Sequence, residues 1–563
     1  MVYVIVAGLL LLLVPKAWRR LQLSKAKHRS LAGHSKMSRR LAALLPYFSF
    51  ENEAFFNCDG ADEALTKRRQ KHFEELAQQL DALNPTTLTK TQQLQASLSD
   101  VNFTKKYRVP FPFRDALPTS FTHTAIVERT SDVMFEDADQ HWRYDLFSSY
   151  GVNVFGYEFY KSCLLKAHEK LKDLGFILGP YHDTVLKNAQ RLKVISGLDE
   201  VSFHMSGTEA VMQAIRLARY HTRKTHVVRL CGAYHGWWDG VQPGVGNRRN
   251  INDVYTLADL SERTLTVLNT RNDIACVIIN GMQAMHPNKD APNDAGLMNS
   301  TRQIPYDKAR YREWLHRIQA ICNKRGIVLI VDEIFTGFRL GKGGAQEFFG
   351  IQGDLVTYGK TLGGGLPVGV VCGRAHLMKR YRDHHPADVS LARGTFNSHP
   401  MVMATMDIML DKLEEPETQI LYANAETVWN KRVEQLNKKL NDLELPIQLA
   451  NMHSVLSVCY TKPSMHNWMF QFYLRANGLE PGWVGTGRFI MSLATSDEDW
   501  DEIVRRLIKA AFEMNNAGWW DTPEGVTNKD LSNVFSRHLV GALKAHYLPF
   551  TRKQAPKIRE SMS

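Results

Sequence analysis

The stretch from Ile327 to Arg374 constrains the fold more than any other part of the chain. It begins with an uninterrupted apolar run, IVLIV, that ends on the carboxylates of Asp332 and Glu333. A second run, LVTY, comes just before Lys360, and a third, VGVV, follows a glycine-rich turn. Continuous β-branched runs are typical of strands buried on both faces of a parallel sheet. The stretch therefore places an acid and a lysine just past buried strands, where open α/β sheets bind ligands.

Strand-like and helical segments alternate well beyond that stretch, from Lys161 to about Pro400. This alternation is typical of a doubly wound α/β fold with a mostly parallel central sheet. From Met401 a long helical pattern leads into a smaller α+β portion that ends near Trp520. The predicted strands are Glu200–His204, His226–Leu230, Ala275–Ile279, Val328–Val331, Asp354–Thr357 and Val368–Cys372, with helices such as Glu209–Tyr220 and Lys308–Lys324 between them.

The N-terminus carries an apolar run from Val2 to Val14, followed by a basic cluster that starts at Lys16. A membrane-spanning helix needs about 17 apolar residues, so the run is short. A cleaved signal peptide would need a basic start and a small-residue cleavage site, and neither is visible. We therefore predict an uncleaved membrane anchor or a deeply inserted helix, with a cytoplasmic catalytic body. The basic stretch to Arg40 either binds anionic lipid or is a solvated linker.

The net charge of +12 is concentrated at the two ends of the chain, and the interior is close to neutral. This distribution excludes a nucleic-acid-binding core, which would carry its basic residues on the folded domain. The seven cysteines are scattered and never form a CxxC pair, so no disulfide framework and no metal site is predicted. A reducing compartment follows.

Two segments before the alternating region have a recognisable sequence pattern. An amphipathic helical pattern places Phe73, Leu76, Leu80 and Leu83 on one face, and we expect that face to pack on a core. The segment RVPFPFR begins at Arg108, and its two prolines exclude a helix. Its aromatic residues either line a pocket or form a structural strap.

The sequence Ser206-Gly207-Thr208 follows a predicted strand and opens a predicted helix. Backbone N–H groups at a helix N-terminus, together with hydroxyls, suit a phosphate, although such residues also simply cap helices. Tyr234 and His235 follow the next predicted strand. An aromatic side chain there either stacks on a flat ring or belongs to the core.

Asp332 and Lys360 complete the set. A buried carboxylate needs a cationic partner or hydrogen bonds, and a protonated pyridine nitrogen, a helix terminus or an ion pair would each serve. A lysine held out of water has a lowered pKa and forms a Schiff base with an aldehyde, whereas most lysines simply lie on the surface. Taken together, a phosphate clamp, a ring stacker, a pyridinium partner and a lysine are what pyridoxal phosphate (PLP) chemistry requires.

At this point a family resemblance is visible. The sequence resembles the class III (ω-type) PLP-dependent aminotransferases, above all the glutamate-1-semialdehyde aminomutase-like members, over roughly Asn102 to Trp520. The resemblance implies a PLP fold-type I architecture and a homodimer with active sites at the interface. The motifs that carry it are SGTEAVMQAIRLAR, AYHG, VDEIFTGFR, AQEFFG, TYGKTLGGGLPVG and RGTFNSHP.

The resemblance also implies a role for each matching residue. Lys360 would bond the cofactor and move protons, and Asp332 would pair with the pyridine nitrogen. The remaining implied cofactor contacts are Ser206, Gly207 and Thr208 at the phosphate, Tyr234 and His235 at the ring, Ile334 beneath it, and Thr395, which would reach the phosphate held by the neighbouring subunit.

One departure from the family pattern stands out. Members usually carry a Glu-Pro pair after the strand Ala275–Ile279, whereas this chain has Asn280 and Gly281 there. The missing carboxylate affects the expected contacts near the ring hydroxyl. Arg108 and Arg339 are candidates for binding a substrate carboxylate, and their spacing does not decide between them.

These features predict an aminotransferase that moves nitrogen from an amino donor to an aldehyde or ketone. The anchor and four aromatic residues favour an apolar acceptor, such as a long-chain aldehyde or an acyl intermediate of secondary metabolism. The alternatives are an aminomutase or racemase on the same fold, and a non-catalytic scaffold at the membrane. The four aromatic residues are Phe111, Phe113, Trp237 and Trp238.

The predicted organisation has six segments. They are an N-terminal membrane anchor (1–20), a basic then helical membrane-proximal segment (21–100), the first segment of the catalytic unit (101–160), a large PLP-binding domain (161–400), a small C-terminal domain (401–521) and a basic tail (522–563).

Overall fold

The computed structural model describes residues 2–27, 33–122, 124–249, 251–282, 300, 307–482 and 487–548, without the side chains of residues 2–12. The strands of this part are, in chain order, β1 (Val127–Ser131), β2 (Met134–Asp137), β3 (Trp142–Asp145), β4 (Glu200–His204), β5 (His226–Leu230), β6 (Val254–Leu257), β7 (Ile274–Ile279), β8 (Val328–Asp332), β9 (Leu355–Gly359), β10 (Gly369–Gly373), β11 (Tyr381–Arg382), β12 (His385–Val389), β13 (Ile447–Met452), β14 (Val455–Tyr460), β15 (Leu479–Glu480) and β16 (Arg488–Ile490).

The helices are referred to by their ranges. The α-helices of five residues or more in the described part are Val2–Ala26, Ser35–Leu44, Glu53–Asn57, Glu63–Leu83, Pro85–Gln95, Ser99–Tyr107, Tyr157–Leu171, Asp183–Ser196, Gly207–Thr222, Glu262–Thr270, Lys308–Arg325, Gly344–Phe349, Pro400–Glu414, Pro416–Asp442, Phe470–Ala476, Asp497–Asn516 and Asn528–Tyr547.

A seven-stranded sheet with the order β4-β10-β9-β8-β7-β5-β6 forms the centre of the large part. Only β10 runs antiparallel to its neighbours, and the other pairs are parallel. Successive residues of β8 contribute to opposite faces, since Leu329 packs in one core cluster and Ile330 in another. Both clusters contain helical residues, so helices cover both faces. The predicted α/β class is confirmed.

The sequence did not reveal β6, which lies at the sheet edge. The N-terminal helix ends beside this strand, where the Ala258 N–H donates to the Ala26 carbonyl at 2.9 Å and Lys27 bridges Leu257. The apolar run predicted as a membrane anchor lies mostly outside the described side chains. Among the helices whose side chains are described, none is long and apolar enough to cross a membrane. The predicted anchor is not supported by this finding.

A second core joins the small C-terminal part to the segment before β1. It contains β13, β14 and β16, together with helices Pro416–Asp442 and Asp497–Asn516. The face predicted on helix Glu63–Leu83 contributes Phe73, Leu76 and Leu80 to this core, whereas Leu83 is only partly buried. The segment RVPFPFR, predicted to be free of helix, instead enters a 3-10 helix, Phe111–Ala116, because a proline fits the first turn of a helix. The segment is a structural strap, because Phe113 is fully buried against Phe55 and Trp468.

A buried arginine fixes this arrangement. The Arg69 guanidinium forms two hydrogen bonds of 2.9 Å to the Asp59 carboxylate. It also donates to the carbonyls of Phe56, Gly518 and Asp521. All five guanidinium N–H groups are thereby used, as a buried charge requires. Residues 59–69 are thus tied to the end of the C-terminal core, and the six-segment division stays a prediction.

Candidate active site

Asp332 and Lys360 lie at the same edge of the large sheet. Asp332 is the last residue of β8 and pairs with Thr357 of the parallel strand β9. Lys360 follows the end of β9 directly. Because parallel strands end at one edge, the acid and the lysine face a common space, as the sequence predicted.

Four hydrogen-bond partners surround the Asp332 carboxylate. Its Oδ1 accepts from the Thr357 hydroxyl and from the Ile334 N–H, both at 3.1 Å. Its Oδ2 lies 2.7 Å from Nδ1 of His235 and 3.5 Å from the amide nitrogen of Asn280. Since the side chain is almost fully buried, these donors replace water around the charge.

His235 is the main neighbour of this carboxylate. Burial lowers the pKa of His235, and the hydrogen bond to Asp332 opposes that shift. The neutral ring donates from Nδ1 to the carboxylate, because a carboxylate can only accept. Nε2 of His235 and Oδ1 of Asn280 are buried and have no hydrogen-bond partner among the described residues. Two unused acceptors therefore lie beside the buried acid.

Lys360 has an unusual backbone and an unusual amine. Its φ is +51°, a left-handed conformation that is uncommon for a residue with a side chain and that clusters at functional sites. Burial lowers the pKa of Lys360 to about 8, with smaller contributions from Arg339 and Arg488, while Asp332 acts in the opposite direction. Its Nζ donates to the Tyr150 carbonyl at 2.8 Å. A substantial share of neutral, nucleophilic amine is therefore present near neutral pH.

The Ser206–Thr208 segment is the start of helix Gly207–Thr222. Ser206 is the N-cap, and its hydroxyl accepts from the Glu209 N–H at 3.2 Å. The first-turn N–H groups of Gly207 and Thr208 have no intrahelical acceptor in an α-helix, so they suit an anion. Capping and anion binding are compatible here, because they use different N–H groups.

Two glycines bring neighbouring segments close to this helix start. A Cβ at Gly207 would lie 2.8 Å from the Ile334 side chain, and a Cβ at Gly236 would lie 2.5 Å from the Thr208 hydroxyl. Gly236 also has a φ of +88°, which favours glycine. The loop after β5 and the segment after β8 therefore touch the helix N-terminus. Ile334 also contacts Gly359, next to the lysine.

The other two predicted contacts are exposed in the single chain. Tyr234 is 62% exposed, and the Asn280 amide donates to its carbonyl at 3.0 Å, which places its backbone beside the site. Thr395 lies in an exposed turn, and no described hydrogen bond links it to Lys360 or Asp332. The structure therefore brings together every predicted site residue except Thr395.

Several neighbours of Lys360 carried no sequence signal. The Phe335 ring lies 5.2 Å from Lys360 Nζ and 5.0 Å from the Arg488 guanidinium. Tyr150 contributes a backbone carbonyl, which every residue possesses. Thr357 was visible in the sequence only as a polar residue within the buried strand β9. A hydroxyl in such a strand needs a buried acceptor, and this is the one hint in the sequence of its bond to Asp332.

The structure gives a packing role to Arg339 and to most of the aromatic residues that the sequence linked to the substrate. Arg339 is buried, and it donates to the Ser454 hydroxyl and to the carbonyls of Met491 and Gly151 at 2.7–3.2 Å. It therefore holds the fold together at the site instead of extending to a substrate. Of the four aromatic residues linked to an apolar acceptor, Phe113 is core, Phe111 packs on Phe48, and Trp238 packs against the core beside the helix Gly207–Thr222.

Only Trp237, which is 73% exposed, remains open to solvent among those four.

Glu333, the acid that follows Asp332 in the sequence, is also accounted for. It accepts from the Thr336 hydroxyl and from the N–H groups of Ala345 and Gln346, which are 3.0 and 2.8 Å away. Burial raises the pKa of Glu333 to about 7. Glu333 is thus a structural carboxyl, and Asp332 faces the site.

The described residues fit PLP. A helix N-terminus with close-packed glycines suits the phosphate, the buried Asp332 suits a protonated ring nitrogen, and the unused acceptors beside it suit polar ring substituents. Lys360 supplies an amine of lowered pKa.

The chain matches the family model described as Aminotransferase class-III over residues 118–511. The chain belongs to this family. Class III aminotransferases are enzymes that use PLP, so the predicted enzyme type and cofactor are confirmed.

The aminotransferase is similar to glutamate-1-semialdehyde 2,1-aminomutases. It is 30% identical to that of Alkaliphilus oremlandii over 306 residues, which cover 51% of this chain and 66% of the relative. It is 30% identical to that of Methanocaldococcus jannaschii over 332 residues, covering 56% and 70%. The chain thus spans about two thirds of the length of these relatives.

Solved structures share the fold at low identity. A glutamate-1-semialdehyde aminomutase from Pseudomonas aeruginosa superposes with a TM-score of 0.62 at 17% identity, covering 81% of the aminotransferase and 100% of that chain. A β-phenylalanine aminotransferase from Variovorax paradoxus gives 0.61 at 21% identity, covering 79% and 98%. The PLP fold-type I architecture is therefore confirmed.

Proposed function

We propose that this aminotransferase moves an amino group from a donor to an aldehyde or ketone, with Lys360 and Asp332 as its catalytic residues. The observation that carries the proposal is the convergence of a lysine of lowered pKa, a buried carboxylate and a helix N-terminus at one sheet edge. PLP, when bound there, would supply an aldehyde and an electron-accepting ring. The remaining work falls to the residues of the chain.

Each residue has a distinct task. The Lys360 amine would bond the cofactor and then, once free, carry a proton at Nζ as general acid and base, for which a pKa near 8 is well matched. Asp332, held by His235 and Thr357, would keep the ring nitrogen protonated. The N–H groups of Gly207 and Thr208 would bind the phosphate.

Contacts around the ring complete the proposal. Tyr234, Ser206 and His235 would line the cofactor, and Ile334 would pack beneath it, since its side chain already bridges Gly207 and Gly359. Asn280 stands where the family resemblance implies an acid, and its amide lies 3.4 Å from His235. With a neutral amide there, Asp332 is the single carboxylate in direct contact with His235 among the described residues.

The charges near Lys360 favour a substrate that carries a carboxylate. Arg488 and Arg339 both lower the pKa of Lys360, so the space beside the amine has a positive potential. Arg488 is our candidate to meet the carboxylate, because its guanidinium and Lys360 Nζ lie at the same Phe335 ring, 5.0 and 5.2 Å from its centre. Phe113, Phe111 and Trp238 give no support to an apolar acceptor, because all three pack within the chain.

A homodimer would complete the site. Two adjacent segments, 164–181 and 391–396, expose large apolar side chains, and Arg393 links them by contacting Tyr181 and Gly179. Exposed apolar patches of this kind mark interaction surfaces. Thr395 lies within this face, so a second copy would bring Thr395 to its partner's phosphate site. The exposed side chains are Leu164, Leu165, Phe176, Tyr181, Leu391 and Phe396.

An aminomutase is the second candidate, since the curated relatives at 30–34% identity bear that name. It would move the amino group within one molecule and would need no net donor. Product formation that depends on a separate amino donor distinguishes transamination from this alternative.

The decisive experiment uses Lys360→Ala and Thr395→Asp. Lys360→Ala should abolish donor-dependent turnover, and Thr395→Asp should impair it by placing a charge near the phosphate. Equal mixing of the two variants should restore activity to about a quarter of wild type, because half of the dimers then hold one intact site. Sustained turnover by Lys360→Ala would refute the catalytic assignment, and the absence of complementation would refute the shared site.

A further inference from the structure

Four consecutive residues beside Lys360 have a left-handed backbone. Ser148, Ser149, Tyr150 and Gly151 have φ values of 45°, 48°, 59° and 83°. We refer to Ser148–Gly151 as the left-handed turn. Left-handed backbone is disfavoured for residues other than glycine, because Cβ comes too close to the following carbonyl oxygen. A run of three such residues persists only where surrounding contacts hold it.

The carboxylate of Asp145 supplies those contacts. Its Oδ1 accepts from the Phe147 N–H and its Oδ2 from the Ser149 N–H, both at 2.9 Å. The Tyr157 hydroxyl donates to Oδ2 at 2.6 Å and lies 2.7 Å from the Ser149 hydroxyl. Asp145 ends β3 and pairs with Glu480 of β15, so the acceptor is fixed on a sheet.

The other side of the turn faces the catalytic lysine. The Tyr150 carbonyl accepts from Lys360 Nζ at 2.8 Å. The next carbonyl, that of Gly151, accepts from Arg339 at 3.0 Å. The Phe335 ring packs against the same glycine, where a Cβ would lie 2.5 Å from the ring. The turn, the ring and the arginine therefore form one packed unit around the amine.

We propose that Asp145 is a positioning residue for Lys360. It holds the left-handed turn so that the Tyr150 carbonyl receives the Lys360 amine at the stage of the reaction when that amine is not bonded to the cofactor. The amine is thereby kept at a fixed place from which it transfers protons and returns to the cofactor. This inference rests on the role proposed above for Lys360.

The proposal has a consequence for proton affinity. A carbonyl oxygen can only accept a hydrogen bond, and the charged amine is a stronger donor than the neutral amine. The contact with the Tyr150 carbonyl therefore stabilises the charged form of Lys360, in opposition to the effect of burial. Asp145→Asn would place an amide N–H₂ group against the N–H groups of the turn and release it. The pKa of Lys360, which lies at about 8, should then fall further.

The test measures how fast the full-length, cofactor-free protein captures added PLP as a function of pH, followed by absorbance. Capture needs the neutral amine, so the rate rises with pH and its midpoint reports the amine. We expect the midpoint of Asp145→Asn to lie roughly one pH unit below that of wild type. Tyr157→Phe, which removes one donor to Asp145, should shift it in the same direction by less.

Asp139→Asn is the matched control. Asp139 is also a half-buried carboxylate that accepts from two backbone N–H groups, those of Thr86 and Thr87 at 2.7 and 2.9 Å, but it serves a different turn. Its variant should keep the wild-type midpoint. The inference is overturned if Asp145→Asn and Tyr157→Phe also keep it, or shift it upward.

Two further arms keep the outcomes separate. If Asp145→Asn does not fold, as judged by thermal unfolding, Tyr157→Phe alone decides the matter. If Lys360→Ala captures PLP with the wild-type pH profile, the proposed role of Lys360 fails, whatever the Asp145 variants show. If Lys360→Ala does not capture PLP in this way, but the midpoints of Asp145→Asn and Tyr157→Phe equal that of the control Asp139→Asn, the role of Lys360 stands and the positioning role of Asp145 falls.

Discussion

The neighbouring acids Asp332 and Glu333 should respond to substitution in opposite ways. Both are buried, and both are hydrogen-bonded, but Asp332 contacts His235 and the site, whereas Glu333 contacts Thr336 and the start of helix Gly344–Phe349. Asp332→Asn and Glu333→Gln each replace a carboxyl group by an amide of the same shape. They therefore form a matched pair that separates cofactor binding from stability.

The expected magnitudes follow from the hydrogen bonds. Asp332→Asn keeps one oxygen for the donors Thr357 and Ile334, and its amide nitrogen would face Nδ1 of His235, which accepts once its proton moves to Nε2. The free energy of unfolding should fall by only about 1 kcal/mol. A hydrogen bond to a charged ring nitrogen is worth about 1.5–3 kcal/mol, so affinity for pyridoxamine phosphate should fall roughly 10- to 100-fold.

Glu333→Gln should show the reverse. Each of its oxygens accepts at least one N–H or O–H, so an amide nitrogen at either position would face a donor. The loss of unfolding free energy should be about 1–3 kcal/mol, the range for a buried group left without a partner. Affinity for pyridoxamine phosphate should stay within about threefold of wild type, since the lost bond does not reach the cofactor.

Calorimetric titration with pyridoxamine phosphate measures the affinity without a bond to Lys360, and urea unfolding of the cofactor-free protein measures the stability. The reasoning would be refuted if both variants lost the same affinity, because the loss would then follow from replacing a buried carboxyl at either position. Unchanged affinity in Asp332→Asn would refute the pairing of Asp332 with the ring nitrogen.

Two further predictions test the proposed phosphate site at the start of helix Gly207–Thr222 and the second core. Gly236→Ala should weaken pyridoxamine phosphate binding by at least about tenfold, because its Cβ would lie 2.5 Å from the Thr208 hydroxyl at a φ of +88°, whereas Gly244→Ala, with no atom within 4 Å, should bind like wild type. Leu80→Ala should lower the free energy of unfolding by about 2–5 kcal/mol, since Leu80 is fully buried, while Leu165→Ala, 71% exposed, should change it little. A Leu80→Ala effect below about 0.5 kcal/mol would contradict the assignment of this segment to the core.

Local pattern was sufficient for six of the seven strands of the large sheet. The apolar runs around Leu329, Val356 and Val370 became β8, β9 and β10, because a strand buried on both faces must be apolar at every position. The short edge strand β6 gave no such signal. Val, Tyr and Thr favour strands, but a run of four residues is too short to define a strand until β5 is present to pair with it.

The alternatives that the sequence left open depended on which surface a side chain meets. Phe113 reads equally well as pocket lining or as core, and only its contacts with Phe55 and Trp468 decided for core. Arg339 reads equally well as a substrate contact or as a structural donor, and the oxygens of Ser454, Met491 and Gly151 decided for the latter. Composition does not encode such partners.

The sequence by itself determined that Asp332 and Lys360 end neighbouring buried strands, because strand periodicity and glycine-rich turns are local properties. Only the tertiary structure decided what surrounds them. His235 reaches Asp332 across 97 residues, and the Tyr150 carbonyl reaches Lys360 across 210. The physical reason is that burial and hydrogen bonding between distant segments set the pKa and position of a group, and a backbone carbonyl carries no residue signature at all.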